Sequence, residues 1–279
     1  MTRQQAVDHA AIKLARVSDN PRLEAQLLVC HACCIEQTGL FAHPDAELST
    51  EERTAFESCF SSRLEGRPFA YITGNKEFWS LDLVVNEHVL IPRPETELLV
   101  EVTLHLISHQ TRLHVLDLGT GSGAVAVAIA RERNDCRVVA TDISEAALEV
   151  ARLNAARHGT DITFIHSDWY TNLGHDRFDV IVSNPPYVAE DDPNLDEHVA
   201  RHEPGQALIS GKGGLQDIEL IVRQARQHLH RQGHVIIEHG FEQGMAARDL
   251  FRLNGFSQIQ TYRDLSGLER VSSARLVPD

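Results

Sequence analysis

Residues 181–190 read IVSNPPYVAE: an apolar run closes on Asn184, Pro185, Pro186 and Tyr187. A plain turn needs one proline at most and prefers Gly or Asp nearby. This stretch instead sets a polar amide, a rigid bend and an aromatic ring at a strand end. The chemistry it suits concerns a planar nitrogen, such as a carboxamide or an aromatic exocyclic amine, whose delocalised lone pair attacks a methyl group poorly. Asn184 offers a side-chain carbonyl, and Pro185 a main-chain carbonyl on a stiff turn. Two acceptors aimed at the two N–H bonds hold the nitrogen and favour the pyramidal, partly positive nitrogen of a transition state. Tyr187 can pack over the flat group and exclude water. A strong general base is not needed, because the methylated cation loses its proton readily. The plainer reading is a strand exit, since Asn before Pro commonly starts turns.

A second chemical stretch is DLGTGSGA, residues 117–124. Gly119 and Gly121 allow a tight turn and close approach of the backbone to a ligand, and Ala124 completes a G-x-G-x-x-A pattern that suits a dinucleotide. Asp142, about twenty residues on, is placed to accept from ribose hydroxyls. NAD and S-adenosylmethionine both satisfy this much. Asp117 separates them: a carboxylate ahead of the glycines opposes a pyrophosphate but suits a cationic sulfonium or amino group. SDW at 167–169 adds Asp168, able to accept from an adenine amine, and Trp169, which offers an apolar face. Taken singly, these two are a turn cap and a core anchor. With Asp117, Gly119, Gly121 and Asp142 beside them, the methyl-donor reading prevails.

These residues need strands to present them. LHVLDLG, CRVVATD, ITFIHSD, FDVIVSN and HVIIEHG read as strands. They alternate with the helices GAVAVAIARER, SEAALEVARLNAARHG (Ser144 its N-cap, Gly159 its stop) and LQDIELIVRQARQHLHRQG. Such alternation predicts βαβ units and a mostly parallel sheet. After the helix GMAARDLFRLNG, the tail predicts two more strands. Upstream, apolar spacing predicts helices over 3–17 and 21–36 and a third from Ser49, whose capping box with Glu52 and stop at Gly66 frame it. Phe78, Leu81, Leu83 and Val85 predict a linking hairpin, and ETELLVEVTLHLI a helix behind Pro92 and Pro94. Thr96 or Glu97 would favour the positive end of that helix. The organisation expected is a helical domain over 1–75, a hairpin over 76–90 and a catalytic domain over 91–279.

The composition restricts the partners. The 279 residues carry a formal charge of −14, and acidic residues slightly outnumber basic ones even in the first 75. Phosphate neutralisation needs clustered Lys and Arg, so direct nucleic-acid binding is not expected. No apolar run reaches the roughly 18 residues of a membrane span and no secretory h-region opens the chain, which makes the cytoplasm the expected location. Cys30, Cys33, Cys34, Cys59 and Cys136 fit a disulfide framework poorly. The C-x-x-C within CHACC lacks a second ligand pair, so these cysteines are read as small core residues, and no metal is expected.

Together, DLGTGSG, ATD, SDW and SNPPYV resemble the glutamine N5-methyltransferases that modify peptide-chain release factors. IPRPETE at 91–97, GRPFAYITGNKEFW at 66–79 and DLSGLER at 264–270 resemble further stretches of that family. N-P-P-Y alone is shared with adenine and cytosine N-methyltransferases acting on nucleic acids, which are the alternative function; IPRPETE with NPPYV is far more specific. The resemblance implies a class I methyltransferase (Rossmann-like) α/β fold. Its seven-stranded, mostly parallel sheet has one antiparallel edge strand and follows a small helical bundle that helps recognise the partner. It implies S-adenosylmethionine as donor and, as acceptor, the glutamine of the Gly-Gly-Gln motif in bacterial-type release factors. Carried onto this chain, Asp117, Leu118, Gly119, Thr120 and Gly121 would hold the methionine end. Asp142 would hold the ribose, and Asp168 and Trp169 would sit at the adenine. Asn184, Pro185, Pro186 and Tyr187 would meet the glutamine, with Asn184 also beside the donor. The part played by Arg93 is left open between shaping the mouth and supporting the helix.

Overall fold

The structure is a computed structural model and describes residues 1–107 and 112–277. The chain divides into two compact units, 1–74 and 75–279.

The first unit holds five helices among the described residues: α1 Arg3–Leu14, α2 Pro21–Cys33, α3 Gln37–Ala42, α4 Thr50–Leu64 and α5 Phe69–Thr73. Capping boxes start two of them. Thr2 and Gln5 exchange hydrogen bonds ahead of α1, and Ser49 and Glu52 do so ahead of α4, where expected. Ala6, Val7, Ala10 and Leu14 of α1 pack with Ala25, Leu28 and Val29 of α2 and with Phe56 and Phe60 of α4. Three helices were expected; α3 and α5, of six and five residues, are too short to show a 3.6-residue period. α2 stops at Cys33 because Cys34 turns left-handed, φ 52°. Cys34 is therefore exposed, unlike the core residue expected, while Cys30 is buried.

The second unit opens with a hairpin, β1 Asn75–Phe78 and β2 Leu81–Val84, whose two-residue turn holds both Trp79 and Ser80 at positive φ. Then come α6 Glu97–Leu106, β3 His114–Leu118, α7 Ala124–Glu132, β4 Arg137–Asp142, α8 Glu145–Arg157, β5 Ile162–His166 and β6 Phe178–Ser183. The chain finishes with α9 Glu197–His202, α10 Gln216–His228, β7 Leu229–Glu238, α11 Gly244–Leu253, β8 Ser257–Arg263 and β9 Glu269–Arg275. The seven-stranded sheet runs β5-β4-β3-β6-β7-β9-β8. Strands β3 to β7 are mutually parallel, and the one antiparallel strand, β9, lies between β7 and β8 at that edge. Alternate residues feed two cores. Val115, Val180, Val182 and Ile236 pack against α6 and α7, while Leu116, Leu118, Ile181, Val235 and Ile237 pack against α10.

The helix expected to run through residue 233 ends at His228. The next residues join β7, where the pairing with β6 shifts register between Phe178 and Val180. A left-handed Gln232, φ 68°, makes that bulge possible, and its N–H is taken by Leu276 O at 2.9 Å.

The sheet order fixes where the chemistry sits. From β3 the chain winds outward to β4 and β5, then returns to lay β6 on the other side of β3. Ligands in open α/β sheets bind where the winding reverses, beyond the strands' C-terminal ends. Leu118 pairs with Ser183, so Gly119 and Asn184 leave the sheet side by side.

Candidate active site

The loop after β3 is held by backbone bonds. Gly119 N and Thr120 N both donate to Thr141 O at 2.9 Å, and Gly121 N donates to Asp142 Oδ2 at 2.8 Å. Gly119 sits at φ 71°, where a Cβ would also lie 3.2 Å from the Trp169 ring. A Cβ on Gly123 would stand 3.0 Å from the Ala151 methyl, so this glycine lets α7 approach α8. Asn154 of α8 anchors the loop from behind: its Nδ2 donates to Ser122 O (2.8 Å) and Val84 O (2.9 Å), and its Oδ1 accepts from Val84 N.

Asp117 is 2% exposed, and Thr120 Oγ1 donates to its Oδ2 at 2.6 Å. Burial pushes this carboxyl up to about 7; the Thr120 hydroxyl opposes the rise and the Asp142 charge adds to it. Asp142 accepts from Gly121 N and, on Oδ1, from Ser144 N at 2.9 Å. Burial raises its pKa too, against the backbone amides that favour its charge. Ser144 caps α8 as expected, accepting from Ala147 N.

After β5 the chain turns sharply, with Trp169 at φ 45°. Ser167 locks that turn by donating to Trp169 O (2.9 Å) and accepting from Asn172 N (3.0 Å). The Trp169 ring covers Gly119, while Asp168 is exposed.

At the end of β6, Ser183 Oγ donates to Leu118 O at 2.8 Å, tying the two strand ends together. Asn184 Nδ2 donates to Thr96 Oγ1 at 3.0 Å, and its Oδ1 is buried with no partner among the described residues. Pro185 is buried. The Tyr187 hydroxyl donates to Glu238 Oε1 at 3.4 Å, burial holds that phenol well above its usual pKa, and Tyr187 O accepts from Gln243 Nε2 at 2.9 Å. Arg93 has a supporting place: its Nη2 meets the buried Glu203 at 2.6 Å, and the other Glu203 oxygen accepts from Ile91 N at 3.0 Å. IPRPETE is thereby tied to the segment that follows NPPY. Glu97 accepts from Trp79 N at 2.8 Å.

Asp117, Gly119, Thr120, Gly121, Asp142, Asp168, Trp169, Asn184 and Pro186 line one cavity of about 320 Å³. Leu118 turns its side chain into the core, and Pro185 and Tyr187 are not among the residues that line the cavity. Thr96, read from the sequence only as a helix-start residue, also lines the cavity, as do Gln206, Ile209 and Asp217, which escaped the sequence reading. Four of its residues are aspartates, at 117, 142, 168 and 217, and none is Lys or Arg. Such a wall repels a pyrophosphate and attracts a cation. The residues thus fit S-adenosylmethionine: acids for its sulfonium and amino group, a polar strand-end acid for ribose, an indole for adenine. No group of three or more His, Cys, Asp or Glu among the described residues is placed to hold a metal.

Residues 5–74 match the PrmC N-terminal domain and residues 94–203 the methyltransferase small domain. The chain is 41% identical to the release factor glutamine methyltransferase of Coxiella burnetii, over 98% of each chain. It is 40% identical to that of Escherichia coli, over 95% of this chain and 96% of the other. A methyltransferase from Pyrococcus furiosus shares the fold alone, with 19% identity and a TM-score of 0.54 over 78% of this chain and 98% of that one. With relatives of that identity matched along nearly its whole length, the chain belongs to the release factor glutamine methyltransferase family.

Proposed function

We propose that this protein methylates the side-chain amide nitrogen, N5, of the glutamine in the Gly-Gly-Gln motif of peptide-chain release factors. The observation that carries this reading is Asn184 Oδ1, a buried amide oxygen without a partner among the described residues, on a residue that lines an acid-rich cavity. A buried acceptor left unpaired costs roughly 1–3 kcal/mol, which an N–H donor entering the site would recover. S-adenosylmethionine, when bound, supplies an electrophilic methyl group on a cationic sulfur. Asp117, Gly119, Thr120 and Gly121 would hold its methionine end, Asp142 its ribose, and Asp168 and Trp169 its adenine.

The chain's own residues do the rest. Asn184 Oδ1 and the Pro185 carbonyl accept the two N–H bonds of the glutamine amide, orient its nitrogen and raise its electron density. Both bonds strengthen as the nitrogen becomes pyramidal and positive, so they stabilise the transition state more than the bound substrate. Tyr187, outside the cavity lining and bonded to Glu238 and Gln243, stiffens the turn that presents these acceptors. The N-protonated product is a strong acid, and its proton passes by way of an accepting carbonyl to bulk water. The helical unit of residues 1–74 is assigned to partner recognition, and the setting is the cytoplasm. No helix among the described residues is long and apolar enough to cross a membrane.

The test is methyl transfer from labelled donor to a purified release factor, beside a variant whose Gly-Gly-Gln glutamine is changed to Glu. Label on the normal factor alone supports the proposal. Equal label on both moves the acceptor elsewhere. Label only on added DNA or RNA overturns it in favour of a nucleic-acid amine.

A further inference from the structure

The segment that follows NPPY buries almost nothing. Among the described residues from 187 to 207, Glu203 alone is buried. α9 has no buried residue, and Glu203 is the residue that ends it. Among the described residues from 191 to 207, Glu203 is also alone in bonding outside the segment 187–210. A carboxylate thus stands where the other segments of this fold place apolar side chains.

That carboxylate is 1% exposed and has two fastenings. One oxygen meets Arg93 Nη2 at 2.6 Å, and the other accepts from Ile91 N at 3.0 Å. Leu90 and Pro92, which alternate with those two residues, line the cavity. On the other side of the ion pair, Glu203 is followed by Gln206, Ala207 and Ile209, which line it too. The two ends of the segment are joined by backbone: Val188 N donates to Leu208 O and Ser210 N to Val188 O, both at 2.9 Å. Both fastened pieces belong to the acceptor side. The segment leaves directly from NPPY, and Arg93 precedes Thr96, whose hydroxyl accepts from Asn184 Nδ2 at 3.0 Å.

A buried carboxylate has lost its hydration and stays in place only while donors replace it. We infer that Arg93 and Glu203 form a charged latch, which holds the segment 187–210 closed over the acceptor side of the cavity. Both are positioning residues for the incoming glutamine, and that role rests on the release factor being the substrate. Without Arg93 an unpaired charge is left inside, and it regains water by lifting the segment away. The substrate must then select the closed form. With about one molecule in ten closed, its apparent affinity falls about tenfold. The donor side is held by its own bonds, from Thr120 to Asp117 and from Gly121 and Ser144 to Asp142, and keeps its affinity.

The experiment uses the full chain. It follows hydrogen exchange over residues 197–209 by mass spectrometry, initial rates on a release factor, and donor binding by calorimetry. Arg93→Ala should speed that exchange roughly tenfold and raise KM for the release factor about as much. Its kcat should stay within a few-fold of the parent, and its donor affinity near the parent's. Arg93→Lys keeps a positive charge for the single contact and should restore both readouts to within a few-fold. Adding Glu203→Gln to Arg93→Ala should also recover part of the loss, because a neutral amide still accepts from Ile91 N and leaves no charge to bury. Unchanged exchange in Arg93→Ala overturns the latch, and so does a double variant that exchanges faster than the single. Faster exchange with KM unchanged overturns the positioning role. If the parent transfers no methyl group to a release factor, the proposed function falls, while exchange still decides the latch.

Discussion

Along the ends of β3 and β4, both carboxylates that face the cavity are already engaged: Asp117 by the Thr120 hydroxyl, Asp142 by the amides of Gly121 and Ser144. Across the same cavity, at the end of β6, the Asn184 carbonyl oxygen has no partner among the described residues. The first wall is held by short-range bonds and stands ready for a charged donor molecule. The second carries unmet hydrogen-bonding capacity, which a ligand that brings a donor can satisfy. A site built this way rejects an analogue lacking that donor more strongly than one differing by a methylene, because the buried acceptor stays unpaired. On the proposed reading, strength of binding belongs to one wall and choice of substrate to the other.

The largest effect that would sharpen this division is on turnover. Asn184→Ala should lower kcat roughly 10²- to 10³-fold while leaving donor affinity near that of the parent, as single-turnover rates and calorimetry would show. A parallel loss of donor affinity would mean that the walls are not separate. Asp142→Ala should do the converse, weakening donor binding roughly 10- to 100-fold, the worth of a lost charge-assisted hydrogen bond.

A smaller effect comes from pH. Asp117, held up near 7, binds a proton in the ligand-free protein below that pH, and a bound cation expels it. Donor affinity should rise as pH climbs through about 7, with proton release visible as a buffer-dependent heat, and Asp117→Asn should flatten that rise. For stability the sign reverses. A carboxyl raised from 3.8 to about 7 on folding contributes stability that is present below the lower value and lost as pH rises through the higher. Ligand-free Asp117→Asn should therefore melt above the parent at about pH 8 and lose that advantage near pH 4. An unchanged difference in melting temperature across that range would show that Asp117 does not titrate as described.

The smallest effect lies outside the cavity. Ser49→Ala removes one half of a capping box and should cost about 1 kcal/mol, a few degrees in Tm, with donor affinity untouched. A change in donor affinity would couple the helical unit to the donor wall.

The donor wall could be read from the sequence because its parts are local. Asp117, the glycines, Asp142 and SDW each close a strand that announces itself by apolar residues, and the βαβ rhythm brings those strand ends to one side. The acceptor wall was legible only at NPPY. Thr96 meets Asn184 across 88 positions and Arg93 meets Glu203 across 110, separations over which no periodicity speaks. Glu238 and Glu203 are written in the same letters as any solvent-facing glutamate; burial, which gives them their roles, exists only after folding. The segment 188–215 held neither a helical nor a strand period. Apart from the six-residue α9, it is ordered by single contacts, such as Val188 N to Leu208 O and Ser210 N to Val188 O, both 2.9 Å.

The sheet order also bears on how the molecule is assembled in time. β3, β4 and β5 follow one another in the chain and lie side by side, so the donor wall closes over short loops. β3 must then wait for β6, whose Ser183 reaches Leu118 from 65 positions away. Until that partner arrives, a strand buried from Val115 to Leu118 in the finished protein is an open edge, able to pair with another chain. Crowding during refolding should therefore be most harmful before β6 docks, and pulse-labelling by hydrogen exchange should find the β3–β4 amides protected ahead of those between β3 and β6.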